Sequence, residues 1–230
     1  MKMRIIVGII IVFGLISNYF CISCTNEMKK HGTVDAVLLE EQERLEKQRE
    51  EWNQTFMRTK LKADSAKKYC ESNGLRTDYC YLVDFKIHSG KNRFFVWDFQ
   101  KDTIVDAGLC CHGYGNSQNR STTSRPIFSN VTGSLCSSLG HYKIAYRDVC
   151  SYGLLFQYRI HGLDKTNNNA LSRAVTLHSY KLVPNEEIYP EHIPLGYSQG
   201  CLVVSDSVLY RLDTMLKNKA KPLMIWAYYN

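Results

Sequence analysis

The sequence predicts a mainly β domain with a few short helices, carried on an N-terminal helical spacer. Three observations lead there. Between Tyr79 and Tyr229, short runs rich in Tyr, Phe, Val and Ile alternate with turns bearing Gly, Ser and Asn. The 15 Tyr and the 12% aromatic content suit pleated, half-buried surfaces. Upstream, from Asp35 to about Ala66, a charge-dense stretch without Pro or Gly carries apolar residues at helical spacing. With 230 residues and 44% hydrophobic content, the chain is long enough for one ordinary domain plus a short extra segment.

Residues 1–24 read as an export leader. Lys2 and Arg4 form a basic head, Ile5 to Ile16 is almost continuously apolar, and smaller or polar residues follow. The apolar run falls short of the roughly 20 residues a spanning helix needs, but it lengthens through Phe20, so an uncleaved anchor is the alternative to a cleaved leader. Cys24, directly after Ile22-Ser23, sits as in a lipoprotein box, which makes it the expected lipid-attachment site. Residues 25–35 then form a polar tether. Through residue 76 the chain is expected to be a helical spacer, with Leu38, Leu45 and Trp52 recurring every seven residues and Leu39 and Phe56 on the flank.

The main domain is expected over 77–230. Tyr79 to His88 and Arg93 to Phe99 read as paired strands around the Ser89-Gly90-Lys91-Asn92 turn, and Thr103-Ile104-Val105 continues the meander. A polar loop spans 111–126. Tyr142 to Ala145 and Leu154 to Ile160 read as strands, and residues 167–173 as a short helix or turn. Ala174 to Leu177 forms a buried strand running into His178. Leu202-Val203-Val204 leads into a helix from about Ser205 to Leu216, and Met224 to Tyr229 closes the sheet.

Composition excludes several functions. The net charge of +7 falls to +5 once Lys2 and Arg4 leave with the leader. The basic residues are scattered, so nucleic acid is not an expected partner. The mild positive balance suits an anionic wall or membrane surface. Apart from Cys21, Cys24 and Cys201, six cysteines remain: Cys70, Cys80, Cys110, Cys111, Cys136 and Cys150. An exported chain can pair some of them, in too many connectivities to choose from spacing. No Cys-x-x-Cys occurs after the leader and the histidines lack ligand spacing, so no metal site is expected, and the cysteine chemistry expected at Cys201 requires no cofactor.

Ser198-Gln199-Gly200-Cys201 is the segment with chemistry in it. A cysteine on a small-residue turn lets backbone approach a substrate closely, and an imidazole beside it lowers the thiol pKa and carries its proton. Cys201 is the expected nucleophile, with the amides of Gln199, Gly200 and Cys201 facing the oxyanion of a tetrahedral intermediate. The helix predicted from Ser205 is expected to lend its positive end. His178 is the expected base, with Ser179 orienting the ring through its carbonyl or hydroxyl. His161, in Ile160-His161-Gly162, competes for that role on spacing alone. His112 and His192 are weaker rivals.

An ordered series of matches runs from about Asp84 to Tyr228. It comprises Phe128-Ser129-Asn130, Gly133-Ser134, Ser137-Ser138-Leu139-Gly140, Gly162-Leu163-Asp164, Asn168, Ala170, Arg173-Ala174-Val175, His178 and Ser198-Gln199-Gly200-Cys201. On these residues the chain resembles the murein L,D-transpeptidase catalytic-domain family (YkuD-like). The resemblance implies a β-sandwich or barrel-like catalytic domain and gives His178, not His161, the catalytic-histidine position. It also implies a thioester reaction on peptidoglycan stem peptides, with Arg173, Asn168, Ser137 and Ser138 shaping the substrate site. The acyl acceptor is an amine in a transpeptidase, water in an L,D-carboxypeptidase, or a protein lysine in an anchoring enzyme. A non-catalytic peptidoglycan-binding envelope lipoprotein is the alternative from another class. Gln199 stands where the family more usually has His, Val203 where it has Arg, and Ser179 where Gly is common. These departures touch substrate contacts and leave the Cys/His pair intact. The leader and the resemblance together imply a periplasmic or cell-envelope address with a lipid anchor in the membrane.

Overall fold

The computed structural model describes the backbone of residues 3–118, 120–217 and 220–230, and side chains from residue 36 onward apart from 119, 218 and 219. The side chains of residues 1–35, Cys24 among them, lie outside the described residues. The chain divides into two compact units, Met1–Thr55 and Phe56–Asn230. Helix α1 runs Met3–Ser72 and so contributes to both. In the first unit the Leu38, Leu45 and Trp52 stripe is exposed, and Arg44 pairs with Glu41 one turn away.

The second unit is built on one eight-stranded sheet. Its strands are β1 Tyr79–Asp84, β2 Phe94–Asp98, β3 Thr103–Gly108, β4 Gly140–Val149, β5 Phe156–Gly162, β6 Thr176–Ser179, β7 Leu202–Val204 and β8 Met224–Tyr228, in the order β3-β2-β1-β8-β4-β5-β6-β7. Most pairs are antiparallel, while β1–β8 and β6–β7 are parallel. Just beyond β3, the Cys111 amide donates to the Val203 carbonyl of β7 at 2.8 Å. That bridge ties the two sheet edges toward each other and makes the fold barrel-like, as expected from the sequence. Residues 167–173 form turns, so α2, Asp206–Leu216, is the one short helix among the described residues.

Strand periodicity explains the core. In β1, β2 and β8 alternate residues serve two separate apolar layers. Tyr81, Val83, Phe94, Val96, Ile225 and Ala227 join Val208, Leu209 and Leu212 of α2. Cys80, Leu82, Phe95, Trp97, Met224 and Tyr228 face the other way. These strands are buried on both faces, so they read as continuous apolar runs. The second layer is closed by the last turns of α1. Ala63, Ala66 and Cys70 recur three and four residues apart and are wholly buried there, and Phe56 packs on Trp97 with ring centroids 5.5 Å apart. Small side chains let helix and sheet approach closely. The fold therefore reaches back to Phe56, into residues assigned above to the spacer, and α1 ends at Ser72 rather than near Ala66. On β5 only Phe156, Tyr158 and Ile160 face the α2 layer, which leaves Gln157, Arg159 and His161 on the other face.

Candidate active site

Parallel pairing of β6 and β7 assembles the site. Leu177 pairs with Leu202 and His178 with Val203, while Leu202 and Val204 face the α2 layer. Thr176, His178, Cys201 and Val203 therefore share the opposite face. Cys201 enters β7 beside Thr176, whose hydroxyl donates to the sulfur at 3.6 Å. The thiol itself points to the Ala174 carbonyl at 3.8 Å. Ala174 holds φ at 55°, a left-handed conformation that a non-glycine residue adopts only when its surroundings enforce it.

His178 is 9% exposed. Its Nδ1 lies 2.9 Å from the Ser179 carbonyl, so Nδ1–H donates there and Nε2 is the nitrogen left for proton transfer. The orienting group is the carbonyl. The Ser179 hydroxyl instead accepts from the Leu154 amide at 3.1 Å. Gly153, with φ at 54°, makes this close approach possible, since a Cβ there would meet Ser179 Oγ at 2.1 Å and its carbonyl oxygen at 2.4 Å.

The two side chains change each other. Burial pushes the Cys201 thiol up, but the hydrogen bond and charge of His178, with the amide and hydroxyl of Thr176, outweigh it and hold the thiol pKa below the ordinary cysteine value. Burial likewise disfavours the His178 imidazolium, yet the hydrogen bond and charge of Cys201, with the Ser179 carbonyl, hold its pKa above the ordinary histidine value. Both shifts favour a thiolate–imidazolium pair. The pair lies in a cleft of about 230 Å³ lined by Tyr152, Tyr180, Gly196, Tyr197 and Gln199. Tyr152 lies 6.0 Å from the His178 ring, and Tyr180 meets Tyr197 edge-on at 5.1 Å.

The turn before Cys201 is braced from behind. Ser198 Oγ donates to the Cys201 carbonyl at 2.7 Å and accepts from the Gly200 amide at 3.1 Å. Gly200 has φ at 115°, and a Cβ there would come 2.7 Å from the Cys136 carbonyl oxygen. Arg173 Nη1 donates to the Ser129 carbonyl and Ser138 Oγ, and Nη2 to Ser134 Oγ and the Cys136 carbonyl, at 2.6–3.2 Å. Ser137 Oγ accepts from the Gly113 amide at 3.0 Å, and Asn168 Oδ1 accepts from Asn130 Nδ2 at 2.8 Å. Ser137 and Ser138 are buried. Of the residues expected to shape the substrate site, Arg173 and Ser138 thus bond to one another and to residues 129–136, Ser137 bonds to Gly113, and Asn168, at an exposed position, bonds to Asn130.

One expectation is corrected. Helix α2 does not begin beside Cys201. The three residues of β7 intervene, about 10 Å at strand rise, and a helix end acts only within its first turn. Ser205 Oγ and Asp206 already occupy that end.

The other histidines are elsewhere. His112 is buried, with Nδ1 3.0 Å from Arg93 Nη2 and Nε2 3.4 Å from the Thr122 carbonyl. His192 stacks on His88 at 3.6 Å and bonds Ser89. His161 lies four residues along β5 from Gln157, the residue that pairs with His178. Cys70, Cys80, Cys110, Cys111, Cys136 and Cys150 all carry free thiols, as Cys201 does. Among the described residues no group of three or more His, Cys, Asp or Glu is placed to hold a metal ion. Sequence reasoning missed Thr176 and Gly153. Thr176 was within reach of it, because period 2 puts Thr176 and His178 on one strand face.

Comparison with solved structures finds remote likenesses, among them these two. The helical cell shape determining protein Pgp2 of Campylobacter jejuni is 10% identical at a TM-score of 0.42, over 66% of this chain and 48% of that one. An L,D-transpeptidase of Xylanimonas cellulosilytica is 9% identical at a TM-score of 0.33, over 70% and 68%. The chain thus spans about half the length of the Campylobacter structure. Comparison with curated proteins gives no match. The family model for the L,D-transpeptidase catalytic domain matches residues 49–228, which include the whole sheet, the cysteine turn and His178. The chain belongs to the L,D-transpeptidase catalytic-domain family.

Proposed function

We propose that this chain is a cysteine-dependent L,D-transpeptidase acting on peptidoglycan stem peptides. The observation that carries the reading is the placing of His178 and Cys201 on one face of β6 and β7, in a cleft, with the thiol made more acidic and the imidazole more basic. Sγ of the Cys201 thiolate attacks the carbonyl carbon at the L-centre of the stem's diamino acid. With the Gly200 amide engaged by Ser198, the Gln199 and Cys201 amides face the developing oxyanion. The C–N bond to the terminal D-alanine breaks, and His178 Nε2–H protonates the leaving amine, giving a thioester. A side-chain amine of a second stem attacks that thioester, His178 takes its proton, and the thiolate leaves. In this reading Arg173, Asn168, Ser137 and Ser138 position the turn, and the leader with Cys24 anchors the enzyme by lipid on the envelope side of a membrane.

Incubating the full chain in detergent with labelled tetrapeptide muropeptides tests the reading. Cross-linked dimers are expected, and Cys201→Ala is expected to abolish them. Trimmed monomers alone would make the enzyme a carboxypeptidase, and binding without turnover a scaffold. Incubation with a carbapenem, followed by intact mass, is expected to show one adduct on Cys201. An unmodified protein at high drug concentration would refute a working nucleophile.

A further inference from the structure

His161, the histidine that sequence spacing could not separate from His178, faces a different cavity. A cleft of about 520 Å³ lies between the C-terminal end of α2, the segment entering β8, and β4 at its irregular register between Ile144 and Arg147. Its wall includes Arg76, Lys143, Arg147, His161, Lys217 and Lys221, and no acidic side chain is among its lining residues. His161 lies about 13 Å along β5 from Gln157, the residue beside His178.

The donors in this cleft are of two kinds. Arg76 pairs with Asp78 at 2.6 Å, Arg147 with Asp213 at 3.0 Å, and Lys217 with Asp213 at 2.7 Å. Lys143 and Lys221 have no carboxylate partner among the described residues, and Lys143 stands directly opposite His161 in the β4–β5 ladder. His161 Nε2 is buried without a hydrogen-bond partner. An unpartnered buried ring nitrogen is costly unless a ligand or water meets it. Two uncommitted ammonium groups and one imidazole, from β4, β5 and the segment before β8, thus line one cleft.

We propose that this cleft is a binding site for a phosphate-bearing anion, separate from the cysteine site. Planar carboxylates are best held by a free guanidinium fork, and both guanidinium groups here already hold a carboxylate. Ammonium groups act as point charges that suit tetrahedral phosphate oxygens, and the His161 ring borders the same cleft. The paired Arg76, Arg147 and Lys217 add positive field around them. The volume matches the 300–1,000 Å³ of ordinary small-ligand pockets, so the occupant is a small anion or one segment of a phosphodiester chain.

Inorganic pyrophosphate is the probe, titrated calorimetrically into the full chain in detergent at low salt, with citrate as the carboxylate control. Saturable pyrophosphate binding is expected, weakened tenfold or more by Lys143→Ala with Lys221→Ala and several-fold by His161→Phe, with citrate weaker throughout. Lys221→Gln, at an exposed position, gives the same test if the double variant folds poorly. Carbapenem acylation of Cys201 is expected to be unchanged in every variant, which separates this site from the catalytic reading. Displacement of pyrophosphate by a soluble glycerol-phosphate oligomer, or by micelles carrying phosphatidylglycerol, supports the site and tells a polymer source from a lipid headgroup. No saturable binding, equal binding by the variants, or citrate binding as tightly as pyrophosphate would overturn the proposal.

Discussion

Replacing Arg173 with Leu separates a brace from a substrate contact. The guanidinium makes four hydrogen bonds, to Ser129 O, Ser138 Oγ, Ser134 Oγ and Cys136 O, of which two are 2.6 Å long. Bonds from a charged donor contribute about 1.5–3 kcal/mol each in favourable cases, and a buried carbonyl left without its donor costs about 1–3 kcal/mol. The four share one partly buried group and are not additive, so a net loss of about 3–5 kcal/mol is expected. For a domain of this size that lowers Tm by roughly 10 °C. Arg173→Lys keeps the charge, but a single ammonium cannot span both ends of the bracket, so it is expected to recover less than half of the loss. Thermal unfolding of the full chain in detergent, followed by near-UV circular dichroism, reads the stability. The rate of Cys201 alkylation by iodoacetamide reads the turn. Because the Cys136 carbonyl held by Nη2 also packs against Gly200, alkylation is expected to change along with Tm. If Arg173→Leu melts within about 2 °C of the parent and only the KM for stem peptide rises, the brace argument is wrong and Arg173 touches substrate.

Three further outcomes follow from the geometry. Thr176→Val removes the hydroxyl that donates to Cys201 Sγ, so the pH profile of Cys201 alkylation moves to higher pH, while Thr176→Ser keeps it in place; an unmoved profile in the valine variant would discard the contact. Gly153→Ala drives a Cβ into Ser179, which displaces the carbonyl holding His178 Nδ1 and slows alkylation at neutral pH with little change above the ordinary thiol range near 8.5; equal slowing at all pH values would contradict an orienting role. Burial, reinforced by the Arg93 charge, holds the His112 pKa down from 6.5 to about 4. The unfolded chain therefore binds more protons between those values, and unfolding free energy falls by about 3 kcal/mol as pH drops from 6.5 to 4. His112→Gln is expected to flatten that slope in urea titrations, and an unchanged slope would assign the acid sensitivity elsewhere.

What the sequence made legible had local, periodic signals. The strands around the Ser89–Asn92 turn, β7 and α2 were readable because alternation, turn residues and a Ser cap all act within a few positions. Cys201 stood out by its Ser-x-Gly context. Illegible features came from register between segments distant in the chain. Nothing near Thr176 announces that it lies beside Cys201, since that follows from the Leu177–Leu202 pairing. Arg173 read equally well as a ligand or a brace until its four partners came together. The last turns of α1 carried a signal in Ala63, Ala66 and Cys70, but the dense charges around them read as a solvated face. The helix-end argument failed on distance, because the three residues of β7, though read correctly, are long enough when extended to carry a dipole out of range.

The departure at Val203 has a physical consequence for recognition. Where related chains more usually carry Arg two residues past the cysteine, this chain buries Val203 completely against Leu109, Cys111, Val183 and Ile193. A guanidinium in that position would have to leave the cluster or strand a charge inside it. The residues lining the cleft around the catalytic pair are correspondingly uncharged: Tyr152, Tyr180, Gly196, Tyr197 and Gln199. A stem peptide bound there meets aromatic faces and one side-chain amide, so shape and burial hold its backbone rather than an ion pair. Positive charge is gathered instead around the 520 Å³ cleft at the other end of β5. In that arrangement, no Lys or Arg is among the residues lining the cleft around His178 and Cys201. On the proposed mechanism, a fixed positive charge in the cleft would stabilise the thiolate but also oppose the imidazolium that delivers a proton to the leaving amine. Keeping strong cations away from His178 preserves both halves of the pair.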